Sequence, residues 1–357
     1  MENINQLEKF WSKKKVFITG HTGFKGSWLS IILIYLKSSV NGFSLKPKKK
    51  SLFNKSMISK NLKSKTYANI NDIKKLEKKI KQCKPEIIFH LAAQPLVLDS
   101  YKDPIKTFKT NIIGTLNLLE VIRRVKSVKS VVIITTDKVY KIRKDNKPYK
   151  ESDQLGGLDP YSASKVGAEI VVNSYIKSFF RNSNLQNRIS TARAGNVIGG
   201  GDLSENRLIP DIIHAINNKK KLNIRNPNHV RPWQHVLDPL MGYLFLAKKQ
   251  YNNKGDNKEH AWNFGPNKGN FKKVIDIVKY IKKLQNFEFS VLKFKNLKET
   301  NVLKLNSIKA RKKLNWLSKW NLAQSLEKTL EWNKDTKNGV SAKEMCERQF
   351  LMYLNKK

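Results

Sequence analysis

Three apolar residues and a threonine, Val16-Phe17-Ile18-Thr19, run straight into the turn Gly20-His21-Thr22-Gly23-Phe24-Lys25-Gly26, and nothing else constrains this chain as much. A short hydrophobic run without polar alternation is what a strand buried on both faces requires. The largely apolar stretch 27–36 that follows reads as a helix lying back on the sheet. In such a unit Gly20 permits the tight turn, Gly23 lets a ligand approach the backbone, and Gly26 lets helix and strand close up. The free N–H groups at the helix start then face negative charge, so the unit predicts a dinucleotide diphosphate site.

Strand and helix signals alternate from there. Residues 41–45 read as a second strand, 46–65 as a basic loop without period, and 72–82 as a helix presenting Ile73, Leu76 and Ile80 on one face. Pro85 introduces a strand over 87–91, a long helical pattern covers 105–125, and 131–135 carries the strongest strand signal. Pro160 precedes a helix over 162–180, and 189–194 is a further strand. This alternation predicts an α/β fold, a Rossmann-type doubly wound parallel sheet. Beyond Asn196 come a flexible glycine loop at 199–201, a helix over 208–216 and a polar-aromatic segment at 231–236, and about the last hundred residues alternate short helices with Lys/Asn-rich loops. We therefore expect a cofactor-binding unit over 1–195 with a return segment near 232–265. A smaller, mostly C-terminal substrate-binding lobe is expected from 196–231 and 266–357.

The charge is extreme, 70 Lys+Arg against 28 Asp+Glu for a net +42. One reading is a basic RNA- or surface-binding protein. The lysines, however, are spread along the whole chain, with no local basic patch, RNP-type aromatic motif or zinc-finger spacing. Lys, Asn and Ile all use A/T-rich codons and all abound here, so codon bias accounts for the charge, and no specific nucleic acid is expected. Two distant cysteines, Cys83 and Cys346, exclude a disulfide framework and a Cys-rich metal site, and they fit a reducing cytoplasm. No metal is expected. Neither is a signal peptide or a membrane span, because the longest apolar stretch, 28–36, falls well short of the ~20 residues a bilayer requires.

Two later segments carry chemistry. Tyr161 and Lys165 are four apart and share a helix face. An ammonium near a phenol favours the phenolate, so a group that normally titrates near ~10 can serve as a base near neutral pH. Thr136-Asp137-Lys138 follows the strand 131–135, at the carboxyl edge where open α/β sheets carry their sites. A hydroxyl, a carboxylate and an amine in succession can divide orienting, protonating and deprotonating. No acidic residue stands about 20 positions beyond the glycine turn, where one would bind the adenosine ribose. Lys46 is there instead, which taken alone favours a ribose 2′-phosphate, hence NADP. His21 sets a bulky ring beside the turn, as a spectator or as a hindrance to the cofactor.

Over residues 10–265 the chain resembles the extended short-chain dehydrogenase/reductase superfamily, and within it the CDP-glucose 4,6-dehydratases. The resemblance is carried by the 19–29 segment, by His90-Leu91-Ala92-Ala93-Gln94-Pro95-Leu96-Val97, by Thr136-Asp137-Lys138 and by the 155–165 segment. Arg193-Ala194-Gly195-Asn196-Val197-Ile198-Gly199-Gly200-Gly201-Asp202 and Arg231-Pro232-Trp233-Gln234-His235-Val236 complete it. Related dehydratases carry Thr-Asp-Glu where this chain has Lys138, and the lysine marks the CDP-glucose group. The resemblance implies NAD as a held and recycled cofactor, against the simple reading of Lys46, because members also enter a Ser-Leu-x-Pro turn there (Ser44-Leu45-Lys46-Pro47). It implies cofactor contacts at Gly20, Gly23, Phe24, Gly26, Ser44, Ile70, Leu91, Ala92, Tyr161 and Lys165. Gln94, Asn196, Arg207 and Arg231 would bind CDP-glucose. Tyr161 with Lys165 would oxidise the sugar at carbon 4, Asp137 would be the acid at carbon 6, Lys138 the base at carbon 5, and Thr136 would hold the 4-oxygen. The chain departs from the pattern at Leu203, where an aromatic is common. A homodimer or dimer of dimers, working in the cytoplasm on deoxysugars for lipopolysaccharide O-antigen, is also implied. Another nucleotide-sugar dehydratase or a 4-epimerase is the enzyme alternative.

Overall fold

The computed structural model describes residues 2–143, 145–183, 185–252, 260–292 and 302–356. Its centre is a seven-stranded sheet in which every pairing is parallel. The strands are β1 (Lys15–Thr19), β2 (Ser39–Ser44), β3 (Ser64–Tyr67), β4 (Ile87–His90), β5 (Ser130–Ile134), β6 (Ile189–Ala194) and Ala261–Phe264. Across the sheet the order is Ala261–Phe264, β6, β5, β4, β1, β2, β3. The chain steps outward from β1 through β2 and β3, then returns over the helix Ile73–Cys83 to lay β4 on the other side of β1. That reversal opens a crevice at the carboxyl ends of β1 and β4, where such sheets bind ligands. Alternation along β1 explains the two layers. Val16 and Ile18 join the core on one face and Phe17 the core on the other.

The segment 46–65, expected to be loop, instead holds the helical turn Leu52–Lys55, the turn Ile58–Lys60 and the start of β3. Leu52, Phe53 and Ile58 are buried there. The strand escaped notice because it is a four-residue edge strand, Ser-Lys-Thr-Tyr, whose polar residues suit an exposed border. The helix expected over 105–125 is Pro104–Phe108 and Gly114–Ile122 joined through a wide turn, Lys109–Ile113. An unforeseen first helix, Ile4–Trp11, buries Leu7 and Trp11. Asn3 and Gln6 cap it reciprocally, each side chain accepting from the other's N–H.

The C-terminal part is more regular than expected, with helices Leu237–Asn252, Leu322–Lys337 and Ala342–Asn355. The last of these, assigned by sequence to the smaller lobe, packs on the helix Phe24–Tyr35 and enters the sheet core through Met345, Phe350 and Tyr353. Its anchor is Asp238, whose Oδ1 accepts from Tyr353 Oη at 2.6 Å. Burial pushes that carboxyl up to about 7. The 199–201 loop, expected to be flexible, is clamped. The Gly200 carbonyl accepts from Trp28 Nε1 at 3.0 Å, and a Cβ on Gly200 would stand 2.0 Å from the Trp332 ring. Among the described residues no helix is long and apolar enough to cross a membrane.

Candidate active site

Gly20 leaves β1 at φ +78°, against the backbone of Leu91 and Ala92 just beyond β4. A Cβ there would lie 2.7 Å from Ala92 N. At Gly26 a Cβ would lie 2.1 Å from the Gly20 carbonyl oxygen. Both glycines are therefore demanded by the chain's own packing. Gly23 is not, since a Cβ would meet only that same oxygen at 3.4 Å. Gly23 is also the N-cap of Phe24–Tyr35 and offers no side-chain cap, so the first-turn N–H groups remain for an anion. This bare cradle fits the diphosphate of a dinucleotide.

The neighbouring strand ends are pinned around it. Thr22 Oγ1 bonds Ser44 Oγ at 2.7 Å and donates to the Leu45 carbonyl at 3.1 Å, tying the turn to the end of β2. Thr19 Oγ1 bonds His90 Nδ1 at 2.7 Å and accepts from Ala92 N at 3.2 Å. Burial, helped by Lys165, drops the His90 imidazole to about 3, so the ring is neutral. Leu91 and Ala92 thus form the wall facing Gly20. Phe24 reaches the 199–201 loop, its Cζ 3.3 Å from where a Cβ on Gly199 would stand. Ile70 is buried against Gly114, and its carbonyl accepts from Asn117 Nδ2. Lys46 is exposed.

The His21 ring turns inward. It is fully buried between Phe53 and Tyr67, lowered by burial to about 4, and covers Gly42, where a Cβ would sit 2.5 Å from its Cδ2. Gly42→Ala is accordingly expected to cost about 1–3 kcal/mol in urea unfolding, the usual penalty of overpacking. Adding His21→Ala should return part of that loss, because the two changes meet in one contact. Equal, additive losses would show that the contact is not shared.

The catalytic candidates converge at the end of β5. Asp159 caps the helix Pro160–Ser178 by accepting from Ser162 N at 2.9 Å, and Pro160 sits in its first turn. This fixes Tyr161 at the helix mouth, its own N–H donated to Ser100 Oγ at 3.1 Å. One turn on, the Lys165 ammonium donates to the Ile134 carbonyl at 3.1 Å. Burial lowers it to about 8, with the Glu169 carboxylate pulling the other way. The expectation that Lys165 brings the phenol down is overturned in this geometry. Burial pushes Tyr161 up to about 12, with Thr136 and Arg207 pulling it back, while the Lys165 ammonium is hydrogen-bonded to the Ile134 carbonyl.

Asp137 is almost wholly buried. Its Oδ1 accepts from Thr136 Oγ1 at 3.1 Å and from Lys138 Nζ at 3.4 Å. Its Oδ2 has no partner among the described residues and points past Gly195, 3.2 Å from where a Cβ would stand. A carboxyl with one committed and one open oxygen, beside an amine and a phenol, is equipped to move protons on two neighbouring atoms of a ligand.

The expected substrate residues are divided. Arg207 pairs with Asp202 at 3.2 Å and lies within electrostatic reach of Tyr161. Arg231 is buried, with Nη2 at 2.9 Å from His229 Nδ1 and Nη1 donating to the Val230 carbonyl. The Asn196 carbonyl accepts from Gln234 N at 3.2 Å, so Asn196 opens the pairing of Val197–Ile198 with Gln234–His235. Gln94 is engaged elsewhere. Its amide spans the Leu96 carbonyl, Leu96 N and Thr107 Oγ1, which makes it a brace for its own loop. Sequence reasoning passed over Lys25, whose place inside the glycine turn was the available signal. Burial and then Arg207 and Lys165 press its ammonium down to about 7, against the pull of Asp137 and Asp202.

The family model for GDP-mannose 4,6-dehydratase matches residues 17–329. A CDP-glucose 4,6-dehydratase of Salmonella typhimurium is 41% identical over 354 residues, 98% of each chain. A dTDP-D-glucose 4,6-dehydratase of Dictyostelium discoideum is 31% identical over 66% of this chain and 56% of its own. Among solved structures, a dTDP-glucose 4,6-dehydratase from Bacillus anthracis in complex with NAD superimposes with a TM-score of 0.76. It is 24% identical and is matched over 91% of this chain and 97% of its own.

Proposed function

The chain belongs to the GDP-mannose 4,6-dehydratase family, and from that premise we propose that it converts CDP-glucose to CDP-4-keto-6-deoxyglucose. It is a hydro-lyase that works by oxidation at carbon 4, loss of water across carbons 5 and 6, and reduction of the resulting double bond, with hydride added at carbon 6 and a proton returned to carbon 5. When bound, NAD would supply the hydride acceptor for carbon 4 and the hydride donor for carbon 6, with no net consumption of the cofactor. Gly20, Gly23, Gly26 and the first turn of Phe24–Tyr35 would hold its diphosphate, Ser44 and Ile70 its adenosine side, and Leu91, Ala92 and Lys165 its nicotinamide side.

Tyr161 takes the proton of the 4-hydroxyl, and Thr136 holds the 4-oxygen. Lys138, unprotonated, removes the proton on carbon 5, which the 4-keto group has made acidic. Asp137 in its acid form gives a proton to the departing 6-hydroxyl. Asn196, Arg207 and Arg231 bind the nucleotide diphosphate, arginine being suited to paired phosphate oxygens. The observation that carries this reading is the Asp137–Lys138 pair, an acid with one open oxygen beside an amine 3.4 Å from the other. A 4-epimerase needs no such pair, and nothing in the comparisons points to RNA binding.

Incubation with NAD and a panel of nucleotide-glucoses, read by mass, tests the proposal. The expected outcome is loss of one water, fastest from CDP-glucose. Conservation of mass would point to epimerisation, and a faster reaction with dTDP- or UDP-glucose would overturn the nucleotide preference.

In the same reading the sheet unit, 1–195 with the return near 232–265, carries the cofactor. Residues 196–231 and the stretch from 266 carry the substrate, apart from the helix Ala342–Asn355, which joins the sheet core. Cys83 and Cys346 are unpaired, which suits a reducing cytoplasm. The product would feed deoxysugar synthesis for a surface polysaccharide such as O-antigen. A homodimer is supported by Ile105, Phe108 and Ile113 on one helical segment and Ile170 on the adjacent Pro160–Ser178, all apolar and exposed. Sedimentation is expected to give twice the chain mass, and Ile105→Glu with Ile170→Glu should give one chain mass. An unchanged assembly would place the interface elsewhere.

A further inference from the structure

Tyr161, Lys165 and Glu169 recur every four residues on Pro160–Ser178 and so share one face. That face lies along the end of β5. Tyr161 meets Thr136, Lys165 Nζ donates to the Ile134 carbonyl, and Glu169 Oε1 accepts from Thr135 Oγ1 at 2.6 Å. Glu169 is 5% exposed and also accepts from Thr191 Oγ1 at 2.8 Å and from Arg193 Nε and Nη2 at 2.9 and 2.8 Å. Arg193, equally buried, sends Nη1 to Tyr140 Oη at 2.9 Å and to the Glu151 carbonyl at 3.1 Å. Tyr140 directly follows the turn Asp137–Val139, stacks on Tyr149 at 4.8 Å, and donates its hydroxyl to Asn263 Oδ1 at 2.6 Å. The Thr136-Asp137-Lys138 triplet is thus held just before it at Thr135 and just after it at Tyr140, and both ties end on one ion pair.

We infer that the buried Glu169–Arg193 pair is a positioning device, which sets the strand-end triplet in register with Tyr161 and Lys165 and supplies the negative charge that keeps the Lys165 ammonium in place. A buried ion pair is a poor choice for stability alone, since apolar residues of similar volume often do as well or better. The gain is geometric, because one planar guanidinium joins both segments. It is also electrostatic. Among the described residues, the charged or titratable groups facing Lys165 are Glu169 and Tyr161 on its own helix, Lys25 from Phe24–Tyr35 and the neutral His90 from β4. Among these, Glu169 is the group that favours the ammonium.

The inference rests on the proposed roles of Tyr161, Lys165 and the triplet, and its test separates the two. Glu169→Gln alone leaves Arg193 buried without a charge partner, so the paired change Glu169→Gln with Arg193→Met is the variant to make. It is expected to fold and to lose kcat by about tenfold or more with little change in KM, as small misplacements of reacting groups do. The alkaline limb of its kcat/KM profile should move down by about one pH unit as Lys165 loses its carboxylate. Tyr140→Phe, which keeps the stack on Tyr149, should lose kcat without moving that limb. Labelling of Lys165 by an acylating reagent, followed by mass across pH, needs no substrate and should show the same downward shift in the paired variant. If the nucleotide-sugar panel fails but the labelling shift appears, the function is wrong and the pair still acts on Lys165. A folded paired variant with parental kcat and an unmoved labelling midpoint overturns the inference.

Discussion

Tyr161→Phe is expected to lower kcat by about 10³-fold or more, the scale set by loss of a positioned general base, with the fold intact. The substitution removes one oxygen and nothing else that holds the helix mouth. The Asp159 cap, the Tyr161 N–H bond to Ser100 and the Lys165 bond to Ile134 all remain. Because burial holds the Tyr161 phenol up to about 12, proton removal needs the partners that pull it down, and Thr136 and Arg207 are the ones in place. Thermal unfolding and product formation measured together check the prediction. Near-parental turnover by a folded variant would reject Tyr161 as the base.

Lys138→Ala is expected to separate the reaction into its parts. Oxidation at carbon 4 depends on Tyr161 and should persist. Removal of the carbon 5 proton should fail, so reduced nicotinamide accumulates on the enzyme while 6-deoxy product falls by about 10²–10⁴-fold. The lysine is suited to this test because its side chain is 23% exposed and its ion pair is with Asp137, at 3.4 Å. Absorbance of the reduced cofactor, followed alongside product mass, reads both halves at once. Rapid formation of the 6-deoxy sugar by this variant would assign the carbon 5 base to another group.

What was legible beforehand followed from short-range rules. The β1–turn–helix unit, β5 and the start of Pro160–Ser178 are each written in contiguous residues: a spaced set of glycines after an apolar run, a second apolar run, and a proline just before a helical pattern. Tyr161, Lys165 and the 136–138 triplet could be found because each lies at an end of such an element. The β3 edge strand could not, because Ser-Lys-Thr-Tyr has no apolar face to announce it. The inward turn of His21 was equally hidden, since it depends on a bare Gly42 one strand away. Gln94 sits in a motif that reads as a ligand contact, but its amide is used up on Leu96 and Thr107, which only folding brings within reach.

The main alternation of strands and helices, the glycine turn and the residues proposed to handle protons were thus legible in sequence, because each depends on neighbours a few positions apart. The phenol raised by burial, the open Asp137 oxygen, Lys25 among the site's charges and the Glu169–Arg193 tie were decided by tertiary structure alone. Each arises where segments 24 to 182 residues apart exclude water together, and the cost or gain of a charge there is set by that shared desolvation rather than by any local pattern.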